Sequence, residues 1–133
     1  MNNEESRTIY IIDQHKTRVH LLQAFILPLL LREIGVPKQE IVHIDDTESV
    51  DLELFYEAVD QGVVALVLLD HSFNEVSKGM EIAQNIRTLQ PRMPIIGVSH
   101  DPEQEKYIDR DYQLADYTYD PLKAMLRQAF GIV

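Results

Sequence analysis

The sequence predicts one doubly wound α/β domain in which short buried strands alternate with amphipathic helices. Short apolar stretches rich in β-branched residues recur along the 133-residue chain, and such stretches are typical of strands that are covered on both faces. Apolar residues between these stretches recur at helical spacing. Strands and helices that alternate in this way form a parallel sheet with helices on both faces. We therefore expect five strands and five helices.

The predicted strands are short. The first follows a polar tail, residues 1–6, and the domain is expected to span residues 7–133. The five predicted strands are Thr8–Ile12, Ile41–Ile44, Val63–Leu69, Pro94–Val98 and Ala115–Tyr119.

The first predicted helix runs from about Lys16 to Ile34 and is ended by Gly35. Pro28 lies inside it and should kink the helix or remove one backbone hydrogen bond. A short helix that starts at Asp101 is also expected. Three later apolar stripes predict the remaining helices: Leu52, Phe55, Tyr56 and Val59; Gly79, Ile82, Ala83 and Ile86; and Leu122, Met125, Leu126 and Ala129.

Composition and charge argue against nucleic-acid and membrane partners. The net charge is −10, and nucleic-acid binding needs clustered Lys and Arg, so no nucleic-acid partner is expected. The longest apolar run, Leu21 to Leu31, is interrupted by Gln23 and Pro28 and falls short of the ~20 residues of a membrane span. The chain has no cysteine, which fits a reducing compartment. We expect a cytoplasmic protein without a membrane partner.

Four polar side chains follow predicted strands at the edge of the sheet where ligands bind. Asp13 follows strand 1, Asp70 follows strand 3, Ser99 follows strand 4 and Asp120 follows strand 5. The carboxyl ends of parallel strands meet at one edge, and ligands bind there at the point where the strand order reverses. The pattern predicts a small cleft lined by these four side chains. Helix capping and turn formation are the alternative for each one taken alone.

The order and spacing of several segments resemble the receiver domains of bacterial response regulators, the CheY-like family of two-component and phosphorelay signalling. The resemblance covers about residues 7 to 130 and implies a flavodoxin-like fold with strand order 2-1-3-4-5. The segments that carry it are Ile11-Ile12-Asp13, the apolar strand that ends in Asp70, Gly79 with Ile86-Arg87, Pro94 to Ser99, and Ala115 to Pro121.

The resemblance implies a role for each residue of the cleft. Asp70 matches the aspartate that accepts a phosphoryl group from a histidine kinase or phosphotransfer protein. Asp13 matches the first acid of the pair that holds Mg²⁺, so Asp13, Gln14 and Asp70 are the candidate metal ligands. Ser99 matches the hydroxyl that bonds the phosphoryl oxygen, and Tyr117 matches the switch aromatic residue.

Two departures from the family pattern change the charge of the site. Gln14 stands at the second acid, and Asp120 stands at the lysine that holds the phosphoryl group. If three carboxylates met there, each pair would cost about 3 kcal/mol at ~5 Å and an effective dielectric constant of 20, so a raised carboxyl pKa or a bound cation would be expected. Lys78 or Lys16 could replace the lysine. The loop after Asp70 also lacks the usual proline and Asp-Gly.

These departures favour an atypical receiver or pseudo-receiver, which is not an enzyme and acts through protein–protein interaction. Conventional phosphorylation of Asp70 and binding of Mg²⁺ stay open as alternatives. So does a metal-dependent phosphoesterase, although no Asp-x-Asp pair or glycine-rich phosphate loop is present. A small-ligand module is a further alternative, because Asp13 and His15 partly match a cobalamin-binding motif in which Arg18 replaces the glycine.

The first helix carries more apolar residues than one buried face needs. Leu22, Phe25, Ile26 and Leu29 form one stripe, and a second contains Leu27, Leu30, Leu31 and Ile34. An exposed second stripe would dock a histidine kinase, a phosphotransfer protein, another signalling protein or a second copy of the chain. Burial of this stripe under the last helix is the alternative.

Overall fold

The computed structural model describes residues 7–45, 50–70, 76–97, 110–111 and 119–132. Strands and helices alternate along these residues. In chain order the elements are β1 Thr8–Ile12, α1 Lys16–Leu21, a π-helical turn Leu22–Ile26, α2 Leu27–Glu33, β2 Glu40–Ile44, α3 Val50–Gln61, β3 Val64–Leu69, α4 Val76–Leu89, β4 Ile95–Gly97, β5 Arg110–Asp111 and α5 Asp120–Ala129.

The strands form one parallel sheet in the order β2-β1-β3-β4-β5. The prediction of an α/β fold with a parallel sheet is confirmed for β1 to β4. The fifth strand differs from the prediction, because the strand beside β4 is the two-residue β5. Residues 115–118 of the predicted strand, and the helix predicted to start at Asp101, lie outside the described residues.

The core has two halves, one on each face of the sheet. Side chains alternate between the faces along a strand, so Ile9 and Ile11 of β1 contribute to one half and Ile12 to the other. The first half is covered by α1, the π-helical turn, α2 and α5. The second is covered by α3 and α4. The predicted stripes of α3, α4 and α5 supply the buried residues Phe55, Val59, Ile82, Ala83, Ile86, Leu122 and Leu126.

The π-helical turn decides which residues of the first helix are buried. The Leu27 N–H donates to the Leu22 carbonyl, an i to i−5 bond that places one extra residue in the turn just before Pro28. Pro28 has no N–H, so the backbone hydrogen bond that an α-helix would form from this position is missing. The π-helical turn therefore lies next to a point where the α-helical bonding is already interrupted. Leu22 and Leu27 therefore lie on one face, whereas an α-helix would turn them apart.

This phasing corrects the predicted docking stripe. Leu27 is 0% exposed, and Leu30 and Leu31 are buried beside it in the same half of the core. The expectation that these three residues form an exposed partner surface is wrong. The alternative, burial of the stripe beside the last helix, is confirmed, because Leu122 and Leu126 of α5 lie in the same half of the core. The exposed apolar residues of the first helix are instead Phe25, 60% exposed, and Leu29, 43% exposed.

Candidate functional site

Asp13 and Asp70 lie side by side at the carboxyl edge of the sheet. Ile12 pairs with Leu69 in the register of β1 and β3, so the residue that follows each strand stands at the same level. The Asp70 N–H donates to the Ile12 carbonyl at 2.9 Å. Both side chains are buried, with Asp13 0% and Asp70 5% exposed. Two buried carboxylates at neighbouring strand ends require a positive partner.

Arg18 supplies that partner. Its Nε lies 2.6 Å from Asp13 Oδ2 and its Nη2 lies 2.9 Å from Asp13 Oδ1. Nη2 also lies 3.1 Å from Asp70 Oδ2. A two-pronged guanidinium–carboxylate pair is among the strongest hydrogen-bonded pairs in proteins. One guanidinium therefore bridges the two carboxylates that the sequence predicts at this edge.

The start of α1 positions Arg18. His15 is the N-cap residue, with φ −82° and ψ 93°, and its Nδ1 accepts a hydrogen bond of 3.2 Å from the Arg18 N–H. The His15 N–H in turn donates to Asp13 Oδ1 at 2.8 Å. The segment from Asp13 to Arg18, which includes the first residues of α1, is thus tied together by backbone and side-chain bonds. This local order fixes the direction in which the arginine side chain leaves α1.

The ion pair keeps the guanidinium charged. The hydrogen bond to Asp13 is the main reason that the pKa of Arg18 is raised above its ordinary value, and the charges of Asp13 and Asp70 act in the same direction. Burial acts in the opposite direction and is outweighed. The cation is therefore a permanent part of the site at any pH at which the protein is folded.

His43, on β2, binds the backbone of Asp13. Its Nε2 donates to the backbone carbonyl of Asp13 at 2.6 Å, because a carbonyl oxygen can only accept. The Asp13 N–H donates to the Ile44 carbonyl at 3.1 Å. Residues of β2 thus bind both the N–H and the carbonyl of Asp13, while Arg18 binds its side chain.

Gln14 and Asp120 differ from Asp13 and Asp70 in exposure. Gln14 is exposed, and its Nε2 donates to the Asp45 carbonyl at 3.5 Å. Asp120 is exposed as the first residue of α5, unlike the two buried carboxylates. Ser99 and Tyr117 lie outside the described residues.

Neither lysine considered as a replacement cation is the residue between the carboxylates. Lys78 pairs with Glu81 at 3.2 Å, and Lys16 is exposed on α1. The residue that bridges Asp13 and Asp70 is Arg18, which the sequence reasoning considered only as a departure from a cobalamin motif. The signal that could have found it is an arginine in the first turn of a helix, five residues after a buried strand-end aspartate.

Three of the four carboxylate oxygen atoms of Asp13 and Asp70 contact Arg18. Both carboxylate oxygens of Asp13 accept from Arg18, and Oδ2 of Asp70 contacts the same guanidinium. Gln14 points its amide nitrogen at a backbone carbonyl. Within the described residues no cluster of three or more histidines and acids could hold a metal ion.

Comparison with known proteins identifies the fold. The CheY-like protein TadZ from Pseudomonas aeruginosa matches 100% of this chain over 97% of its own, with a TM-score of 0.67 and 12% identity. A 3-dehydroquinate dehydratase-like protein from Bifidobacterium longum matches 95% of each chain, with a TM-score of 0.57 and 12% identity. No protein-family model and no curated protein sequence matches the chain. The chain has a CheY-like, receiver-like fold.

In the part of the chain that the structure describes, no helix has the length and apolar character to cross a membrane.

Proposed function

We propose that this chain is a pseudo-receiver, a receiver-like signalling domain that works through protein–protein contacts, and that Arg18 replaces the divalent cation of a phosphorylated receiver. The observation that carries the proposal is the guanidinium between Asp13 and Asp70, with contacts of 2.6 to 3.1 Å. The proposed setting is the cytoplasm, in keeping with a chain that has no cysteine.

The charge of the site opposes phosphoryl transfer. Transfer to an aspartate needs positive charge where negative charge develops on the phosphoryl oxygens. The single positive charge of Arg18 is already shared by two carboxylates. Asp120 stands at the position of the family's lysine, so the positive charge that the family uses to hold the phosphoryl group is replaced by a negative one. We therefore infer that Asp70 serves as one arm of a structural ion pair.

Access to Asp70 is the second argument. Its side chain is almost fully buried, and the oxygen nearest Arg18 is engaged at 3.1 Å. Attack on a phosphoryl donor requires a free carboxylate oxygen that can approach phosphorus in line. Freeing it would separate buried opposite charges, which costs several kcal/mol. A phosphoesterase is disfavoured for the same reason, because its metal ion would need these oxygen atoms.

Incubation with acetyl phosphate and Mg²⁺, followed by intact-mass measurement, tests the proposal. We expect no phosphoryl adduct on the native chain and the same result for Asp70→Ala. An adduct on the native chain that Asp70→Ala lacks would instead establish a conventional phosphoacceptor.

Thermal unfolding with and without Mg²⁺ tests whether Arg18 takes the place of a divalent cation. In Arg18→Ala the two carboxylates lose their cation, so Mg²⁺ at ten times its Kd should stabilise the variant by ~1.4 kcal/mol. The native chain and the control Arg92→Ala, which removes an exposed arginine between α4 and β4, should respond to Mg²⁺ no more than to NaCl of equal ionic strength. Equal stabilisation of the native chain by Mg²⁺ would contradict the replacement of the cation by Arg18.

A further inference from the structure

A groove of about 1070 Å³ runs between the first helix and the edge strand β2, away from the Asp13 and Asp70 site. Apolar residues dominate its lining, among them Phe25, Leu29 and Ile41. Phe25 is 60% exposed and Leu29 is 43% exposed, so the groove presents an aromatic and an aliphatic side chain to solvent. Exposed apolar side chains grouped in a concavity mark interaction sites.

The charge around the groove is the opposite of that of the rest of the chain. Arg32 and Lys38 line it together with Glu40, which gives a net charge of +1 from two basic residues and one acidic residue. The chain as a whole carries −10. A segment that fits this groove should therefore combine apolar anchors with acidic neighbours.

Helix α3 of this same chain has that composition. Val50 is 63% and Leu54 is 54% exposed, and their spacing of four residues places them on one ridge of the helix. Asp51 and Glu57, three residues before and after Leu54, lie on either side of that ridge, and both are exposed. Helix α3 contains four acidic residues and no basic one.

We propose that a second copy of this chain docks by placing the Val50–Leu54 ridge of its α3 in the groove beside β2. The apolar ridge would cover Phe25 and Leu29, and the acidic flanks would face Arg32 and Lys38. The contact joins two different surfaces, so it is head-to-tail and leaves one groove and one ridge available at the ends of each assembly. It goes beyond the proposed function and does not depend on the state of Asp70.

Two single variants and their mixture test the contact. Phe25→Ser damages the groove and leaves the ridge intact, whereas Leu54→Ser does the reverse. In sedimentation equilibrium the native chain should gain mass with concentration, and each variant alone should associate about tenfold or more weakly. An equimolar mixture of the two should recover association, but only as a 1:1 dimer, because each variant keeps one working surface.

Two further variants test whether the loss of association is specific to the groove. Leu21→Ser changes an exposed leucine of the same helix that does not line the groove and should associate like the native chain. Leu29→Ser provides a second groove variant that should match Phe25→Ser. Thermal unfolding of each variant shows whether the fold is kept, and all four positions are exposed.

The alternative arrangements give different outcomes, and each of them overturns the proposal. Groove-to-groove contact would leave Leu54→Ser as associated as the native chain. A groove made for a different protein would leave the native chain monomeric up to near-millimolar concentration. A mixture of Phe25→Ser and Leu54→Ser that stays monomeric would exclude contact between the two surfaces.

Discussion

The Arg18 guanidinium contacts the Asp13 carboxylate through two parallel bonds, 2.6 Å from Nε to Oδ2 and 2.9 Å from Nη2 to Oδ1. The same Nη2 reaches Asp70 at 3.1 Å. Three consequences meet in this arrangement: the two strand-end acids are neutralised in part, the first turn of α1 is anchored to the sheet, and Oδ2 of Asp70 is engaged. The charge and the hydrogen bonding of the site therefore depend on Arg18, which belongs to α1 and not to a strand end.

Removal of the guanidinium should strongly destabilise the fold. Arg18→Met leaves two buried carboxylates without a cation, and loss of one partner from a buried ion pair costs about 3–5 kcal/mol. Arg18→Lys keeps the charge but loses the two-pronged geometry, so its loss should be smaller. Urea unfolding at neutral pH measures both. Arg92→Met, at an exposed position between α4 and β4, should change the free energy of unfolding by less than ~0.5 kcal/mol. A loss as small as this in Arg18→Met would contradict a buried bridging role for Arg18.

The effects of Arg18 and Asp70 should not add. Asp70→Asn removes one of the two negative charges, so the loss of Arg18 then leaves a single buried carboxylate instead of two. We expect Arg18→Met to cost at least 1 kcal/mol less in the Asp70→Asn background than in the native chain, the size typical of coupled neighbours. Urea unfolding of the native chain, both single variants and the double variant supplies the cycle. Simple additivity would show that Asp70 does not share the guanidinium.

The sequence was sufficient to predict the strand ends but not the cation between them. Asp13 and Asp70 could be placed together because each follows an apolar strand, and parallel register brings such positions to one edge. Arg18 could not be placed in the same way, because its role depends on the direction in which α1 leaves the sheet. That direction is set by the His15 cap and by the backbone bonds of Asp13, which no periodic pattern encodes.

The first helix shows a second limit of pattern reasoning. Pro28 predicted an altered bond, and the structure has a π-helical turn at Leu22–Ile26 just before it. The helical period assumes 3.6 residues per turn, so one extra residue moves every later position to a new face. Leu27 was accordingly placed in a second stripe, separate from Leu22, that was expected to be either exposed or buried under the last helix, and it is buried on the same face as Leu22. The end of the helix at Gly35 was predicted correctly, because glycine at that position is a local signal.

Substitutions at Leu27 and Leu29 test the phasing that the π-helical turn imposes. Leu27 is fully buried in the half of the core that also holds Leu122 and Leu126, so Leu27→Ala should cost about 2–5 kcal/mol. Leu29 is 43% exposed, so Leu29→Ala should cost less than ~1 kcal/mol. Thermal or urea unfolding of the two variants checks the difference. The reverse order of the two losses would mean that the helix keeps ordinary α-helical phasing.

Gly35 should resist substitution because of its backbone conformation. Its φ is +82°, and it forms the helix end in which the Gly35 N–H donates to the Arg32 carbonyl and the Val36 N–H donates to the Leu31 carbonyl. A Cβ at Gly35 would meet no neighbouring atom within 4 Å, so the expected loss of about 1–2 kcal/mol in Gly35→Ala comes from left-handed backbone strain alone. Asparagine tolerates this region better, so Gly35→Asn should lose less. Equal stability of Gly35→Ala and the native chain in urea unfolding would contradict this conformation.

Two tyrosines should make the fold sensitive to alkaline pH. Burial raises the pKa of Tyr10, with help from the charges of Glu40 and Asp51, and burial also raises the pKa of Tyr56. A folded-state pKa above the unfolded value of 10.0 means that, as the pH rises past 10, the unfolded chain loses the proton first. Stability is therefore fully present below pH 10 and falls as the pH rises toward the folded pKa.

Phenylalanine variants isolate this contribution. Tyr10→Phe keeps the edge-on packing against Phe55, whose ring centre lies 4.8 Å away, and removes the ionisable hydroxyl. The combined variant Tyr10→Phe with Tyr56→Phe should lose less free energy of unfolding than the native chain between pH 9 and about pH 11, as measured by urea unfolding at both values. Tyr119→Phe, at an exposed position, should keep the native slope. A steeper alkaline loss in the double variant would show that these hydroxyls ionise more readily in the folded chain than in the unfolded one.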